Sequence, residues 1–286
     1  MNQWLWRDTS RDILSLTLLP TRLLHVNRDG RIRLVHVEHI ARENTREQGV
    51  PEYVALSHRW GVSQHFTTTE ATVDERCCGF SIDELPATFR DAVHVVTRLG
   101  FSYLWIDALC ILQDNKEDWE RESKKMGDVF SQARFTIAVH CSVDDSEGFL
   151  AKSMGKRSAV EFKYNRDIAF RICRRANFET DVTNSQLCKR GWVLQERFLA
   201  LRTFHFTEGQ LYFETSGEVQ SEDDSLDLPP ATNISSAGID QPRFFSPSAA
   251  PYLRGLFSLG TCSSSQWTNY EVGAMQNERR IGSLLE

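Results

Sequence analysis

Between Tyr53 and Val139 the apolar positions fall into short dense runs separated by longer, spaced ones. Tyr53-Val54-Ala55-Leu56-Ser57 is short, apolar and β-prone, and it opens onto His58-Arg59-Trp60-Gly61, a polar stretch ending in glycine. A strand feeding such a turn commonly exposes functional groups at the carboxyl edge of a sheet. Phe89, Ala92, Val93 and Val96 then recur at i, i+3, i+4 and i+7, with Pro86 before them and Gly100 after, which predicts an amphipathic helix with a proline start and a glycine stop. Tyr103–Leu112 is a near-continuous apolar run broken only by Asp107, the pattern of a central parallel strand covered on both faces. Asp114 and Glu117 resemble a capping box for a following helix, whose inward face would carry Trp119, Met126, Val129, Phe130 and Ala133. Phe135–Val139 is the next strand. The order strand, helix, strand, helix, strand predicts an α/β fold, a parallel sheet with right-handed crossovers flanked by helices.

The flanks follow a different pattern. Thr21–Val26 and Arg31–Val37 alternate around Asn27-Arg28-Asp29-Gly30 and predict a hairpin. Ala41–Pro51 is a predicted loop, and residues 62–84 are polar and irregular. In the second half, Ala159–Tyr164 and Asp167–Arg174 predict a hairpin around Asn165-Arg166, and Thr203–Thr207 and Gln210–Glu214 another around Glu208-Gly209. Cys188–Leu201 has helical spacing through Trp192, Leu194, Gln195, Phe198 and Leu199. Beyond Ser216 the chain is rich in Ser, Pro and Asp and loses its period, so little stable structure is expected before Trp267. The expected organisation is an N-terminal segment with a hairpin (1–50), an α/β core (51–215) and a poorly ordered tail (216–286).

Composition narrows the function classes. A net charge of −6 over 286 residues argues against nucleic-acid binding through phosphate contacts, which calls for a basic face. The seven cysteines have no regular spacing and no C-x-x-C pair, so a structural zinc site is not expected; reduced, mostly buried thiols are. Met1–Pro20 is interrupted by Arg7, Asp8, Arg11 and Asp12, and no uninterrupted apolar run approaches the ~20 residues that span a bilayer, so the expected location is the cytoplasm, away from membranes.

Several side chains carry candidate chemistry. Ser57, His58 and Arg59 could donate to ligand phosphates, with Gly61 allowing close approach; the alternative is a polar loop with Trp60 packed beneath it. A serine hydrolase built on Ser57-His58 lacks the G-x-S-x-G elbow. Asp107, an acid within an apolar strand, needs a partner: it caps a loop's backbone N–H groups or pairs with an arginine such as Arg59 or Arg190, or else it faces the cleft. Arg190, immediately before Gly191-Trp192, is suited to phosphate or carboxylate recognition. Cys110 lies amid Ala-Leu-Cys-Ile-Leu and is expected in the core, Cys77-Cys78 in a surface loop.

Three segments in order resemble the fungal heterokaryon incompatibility (HET) family: Tyr53–Gly61; the block Leu85–Val139, with Leu85-Pro-Ala-Thr-Phe-Arg-Asp-Ala-Val93, Tyr103–Asp114, Asp118-Trp119, Glu122, Met126 and Ala133; and Arg190-Gly-Trp-Val-Leu-Gln-Glu-Arg197, continuing into Arg202 and Phe206. The resemblance covers roughly residues 20–220. It implies a part in self/non-self recognition and programmed cell-death signalling by protein association, with itself or other incompatibility proteins as partners. The family is distantly similar to the Toll/interleukin-receptor (TIR) fold, a flavodoxin-like parallel sheet, and some members of that fold cleave NAD with a glutamate. On that likeness Trp192–Glu196 matches the helix bearing the catalytic glutamate. Glu196 would then stabilise oxocarbenium character on the ribose or orient water; the alternative is a salt bridge from Glu196 to Arg190, Arg197 or Arg202. No motif demands a cofactor, and NAD enters as a candidate substrate through this likeness alone. A shortened copy with neither activity is a third reading.

Overall fold

The strand–helix alternation between residues 53 and 139 becomes the centre of a nine-stranded mixed sheet. The computed structural model describes residues 18–43, 51–61, 66–153, 159–163, 169–173, 177–215 and 218–222. Four strands run parallel: β3 (Val54–Ser57), β5 (Tyr103–Trp105), β6 (Thr136–Val139) and β9 (Arg202–Thr207). Across the sheet they lie in the order β5-β3-β6-β9. Numbered along the chain this is 2-1-3-4, the beginning of the flavodoxin-like order, whose switch point lies between the first and third strands. Helices α3 (Ala87–Arg98) and α5 (Lys116–Gln132) form the connections.

The predicted first hairpin is β1 (Arg22–Val26) and β2 (Arg31–His36), which extends the sheet by pairing antiparallel to β5. Its turn closes with Gly30 N donating to Asn27 O and Arg31 N to the Asp29 side chain. The last predicted hairpin, β9 with β10 (Gln210–Thr215), is not an appendage, because β9 is the fourth parallel strand. The other one, β7 (Ala159–Lys163) and β8 (Ala169–Cys173), forms a separate two-stranded sheet; its turn at Asn165-Arg166 lies outside the described residues.

Several local expectations are corrected. The apolar run from Tyr103 is a three-residue strand followed by a short buried helix, α4 (Asp107–Cys110). Both are covered by protein, and periodicity alone cannot separate a buried strand from a buried helical turn. Asp107 is therefore no strand residue: it opens α4, its Oδ1 accepting from Ala108 N at 2.7 Å. Cys110 is in the core, as expected. The cap of α5 is Asn115, which accepts from Asp118 N, while Asp114 accepts from Glu70 N. Met126, Val129 and Phe130 face inward as predicted, but Trp119 is 45% exposed. The inner face carries Asp118 and Glu122 instead. Asp118 pairs with Arg22, and Glu122 accepts from Thr21 N and Oγ1, so two buried acids tie the hairpin to α5.

The stretches read as irregular contain short elements: α1 (Val37–Glu43), α2 (Val73–Cys78), β4 (Phe80–Ser81) and a 3-10 turn (Ile82–Glu84). A short helix, α6 (Leu150–Ser153), lies between β6 and β7. Val219–Ser221 forms β11 against β10, where the sequence suggested no strand. Residues 223–286, including Trp267, lie outside the described residues. Among the described residues no helix is long and apolar enough to cross a membrane.

Candidate functional site

The parallel register places Ser57, Ala138 and His205 side by side on neighbouring strands, at the carboxyl edge of the sheet. Side chains two residues apart share a face, so this row, with Thr136 and Thr203, forms one wall. Helix α7 (Gly191–Leu199) forms the other. Its inner side presents Val193 and Glu196, while Leu194 and Phe198 are each 74% exposed and Trp192 is 47% exposed. The helix is there as the spacing predicted, but its apolar stripe faces outward. Gly127 of α5 admits α7 closely: a Cβ there would stand 2.9 Å from Gln195 Nε2 and 3.0 Å from Leu199 Cδ1.

Glu196 is buried, and Ser57 Oγ donates to its Oε2 at 2.5 Å. Burial first, and then the negative charge of Asp107, push the Glu196 acid up to about 7. The Ser57 hydrogen bond and the charges of Arg190 and His58 pull the other way and do not win. Of the arginines named as salt-bridge partners, Arg197 binds Glu214 and Arg190 the carbonyl of His58.

His58 is equally buried. Its Nε2 lies 3.1 Å from Asp145 Oδ1, off the hydrogen-bonding axis, and its Nδ1 lies 3.9 Å from Asp107 Oδ1. Burial lowers the affinity of this imidazole for a proton, but pairing with Asp145 and the charges of Asp107 and Asp145 outweigh it, and the net direction is upward. Arg190 donates through Nη1 to the carbonyl of His58, fixing the start of α7 to the end of β3. Asp107 Oδ2 accepts from Trp60 Nε1 at 2.8 Å. Gly61 has a φ of +72°, and a Cβ there would lie 2.3 Å from Asp144 Cβ. The loop after β6 can rest on it only because that atom is missing. Thr88 holds the loop from below, its N donating to Asp145 O and its Oγ1 to Asp144 O.

Six of the eight candidate residues thus converge: Ser57, His58, Gly61, Asp107, Arg190 and Glu196. Arg59 stands at the rim, partly exposed, where its charge acts on Asp144. Trp192 turns outward. Sequence reasoning missed Asp145, although two adjacent acids soon after a parallel strand are a usable signal for the same edge. It missed a second polar network as well. Ser185 Oγ lies 2.7 Å from His140 Nδ1, His140 Nε2 lies 2.9 Å from His205 Nδ1, and His205 Nε2 lies 2.9 Å from Glu214 Oε2. Arg197 grips both oxygens of Glu214 at 2.8 Å.

Between these clusters is a small cavity bordered by Ser57, Thr136, Ala138, His140, Arg197 and His205, with room for about one water molecule. The arrangement joins a carboxyl that exchanges a proton near neutrality to a serine hydroxyl, beside an imidazole inclined to carry charge. Among the described residues no group of three or more His, Cys, Asp or Glu is placed to hold a metal ion.

Neither the curated proteins nor the solved structures contain a match to this chain. A family model does match, that of the heterokaryon incompatibility protein (HET), over residues 53–196. The match begins at the residue that leads into β3 and ends on Glu196, so it encloses both partners of the Ser57–Glu196 hydrogen bond. It covers half of the chain, and the chain belongs to the heterokaryon incompatibility (HET) family.

Proposed function

We propose that this protein acts in fungal self/non-self recognition and programmed cell-death signalling in the cytoplasm, by associating with itself or with other incompatibility proteins. The observation that carries this reading is the outward stripe of α7. Leu194 and Phe198 are one turn apart and stand almost free in solvent, with Trp192 beside them. Covering a leucine or phenylalanine is worth roughly 1.5–3 kcal/mol each, enough to contribute materially to an interface. The interior behind that stripe is closed: Ser57, His58 and Glu196 are all buried. The test is the double variant Leu194→Asp/Phe198→Asp, followed by sedimentation velocity and by viability of a fungal host expressing it. Loss of both association and toxicity with an unchanged circular dichroism spectrum is the expected result. Retention of both would overturn the reading.

A second reading is TIR-like NAD hydrolysis with Glu196 at its centre. It is favoured by the convergence of Ser57, Asp107, Arg190 and Glu196 near the β3/β6 switch point, where ligands bind in open α/β sheets. It requires α7 or the loop after β6 to move aside, since a nucleotide must reach Glu196. NAD consumption by the purified chain, absent in Glu196→Gln, supports this reading; no consumption at concentrations that permit assembly removes it.

A further inference from the structure

The chain Ser185–His140–His205–Glu214 runs from a half-exposed hydroxyl into the sheet, and its donors and acceptors can be assigned in order. Glu214, gripped by Arg197 through both oxygens, is an ionised acceptor. His205 must therefore donate from Nε2, which leaves its Nδ1 bare. His140 donates to that nitrogen from Nε2, which leaves its own Nδ1 bare toward Ser185. Ser185 Oγ–H then points at His140 at 2.7 Å. The serine lies two residues beyond a π-helical turn, Glu179–Thr183, a backbone form frequent at functional sites. Cys188 N donates to its Oγ at 3.3 Å and fixes the side chain's direction.

We propose that Ser185 is a nucleophile for acyl transfer, taking the acyl group of a small activated carboxylic ester, with His140 as general base and His205 and Glu214 as positioning residues. The hydroxyl oxygen forms a bond to the acyl carbon while its proton passes to His140 Nδ1. The proton on His140 Nε2 can move on to His205 Nδ1, so the new positive charge settles beside Glu214. When the adduct collapses, the bond to the leaving alkoxide breaks and the proton returns along the same path to that oxygen. The products are the alcohol and acyl-Ser185, which water hydrolyses with the same base. The site is separate from the Ser57–Glu196 pair and does not rest on either reading above.

The experiment treats the full chain with a fluorophosphonate probe and with p-nitrophenyl acetate, and maps the adduct by peptide mass spectrometry. The expected result is an adduct on Ser185, absent in Ser185→Ala and formed about 100-fold more slowly in His140→Gln. In His205→Asn the acid limb of the pH–rate profile should move, because the proton taken up by His140 can no longer pass on toward Glu214; a residue that only supports the fold would leave the limb in place. An adduct elsewhere, at Ser57 or Cys188 for instance, or no adduct at all, overturns the proposal. So does an unchanged rate in folded His140→Gln. Mapping in the unmodified chain decides the matter even if a histidine variant fails to fold.

Discussion

Ser57 Oγ stands 2.5 Å from Glu196 Oε2, so the last residue of the first parallel strand and the inner face of α7 meet in one hydrogen bond. The acid in that bond has its proton affinity raised by burial, with Asp107 adding to it, from an ordinary 4.5 to about 7. The folded chain thus holds this proton more tightly than the unfolded chain. Its contribution to stability is full below 4.5 and is lost as pH rises through 7. Between pH 5 and 8 the loss amounts to about 2–3 kcal/mol. Glu196→Gln keeps the acceptor and removes the titration, so urea unfolding of the variant should gain that much on the parent across the interval. Parallel curves for the two proteins would refute it.

The histidine pair has the opposite sign. Burial, and then the charges of His205 and Arg197, hold His140 well below 6.5; burial also lowers His205, against the pull of Glu214. Depressed histidines support the fold above 6.5 and withdraw that support as pH falls below it. His58 works against this, since its raised affinity adds stability below 6.5 that fades as pH rises. His140→Gln should therefore lose less stability than the parent on acidification from pH 7.5 to 5.5. An identical acid slope in urea melts of the two would show that the pair does not titrate as described.

Gly61 and Gly100 both adopt positive φ, +72° and +86°, but only Gly61 is crowded; nothing lies within 4 Å of a Cβ at Gly100. Alanine at Gly100 should cost the backbone penalty alone, about 1–2 kcal/mol. At Gly61 the methyl would meet Asp144 as well, and the loss should exceed that at Gly100 by about 1–3 kcal/mol, the usual cost of overpacking. Thermal unfolding of the two variants gives the comparison, and equal losses would mean that the loop after β6 shifts freely.

Two tryptophans should separate just as cleanly. Trp105 is buried, edge-on to Phe130 at 5.6 Å, and Trp105→Ala should cost about 3–5 kcal/mol. Trp119 is 45% exposed on α5, and its replacement by alanine should cost well under the loss at Trp105. Denaturant midpoints would check both, and a large loss at Trp119 would place that side chain in an interface.

The parallel core was legible because each of its elements satisfies one clear pattern: Phe89 to Val96 for a helix, Tyr53 to Ser57 and Phe135 to Val139 for strands. Where reading failed, a polar residue had found a distant partner. Asp118 and Glu122 turn inward because Arg22 and Thr21 await them from a hairpin roughly a hundred residues earlier, and so Trp119 turns outward. Six of the eight candidates stand together: those at the edge of β3 were singled out from local chemistry, and Glu196 came from the family likeness. His140 and His205 were missed, because nothing near them in the chain announces their partners; the pairing spans 65 residues.

The sheet ends in very short edge strands, two residues in β4 and three in β11. So few free rungs at either end of the nine-stranded sheet give an incoming strand little to grip there. An association through side-chain surfaces, as proposed for α7, would come apart when one partner is withdrawn, which a fibril does not allow.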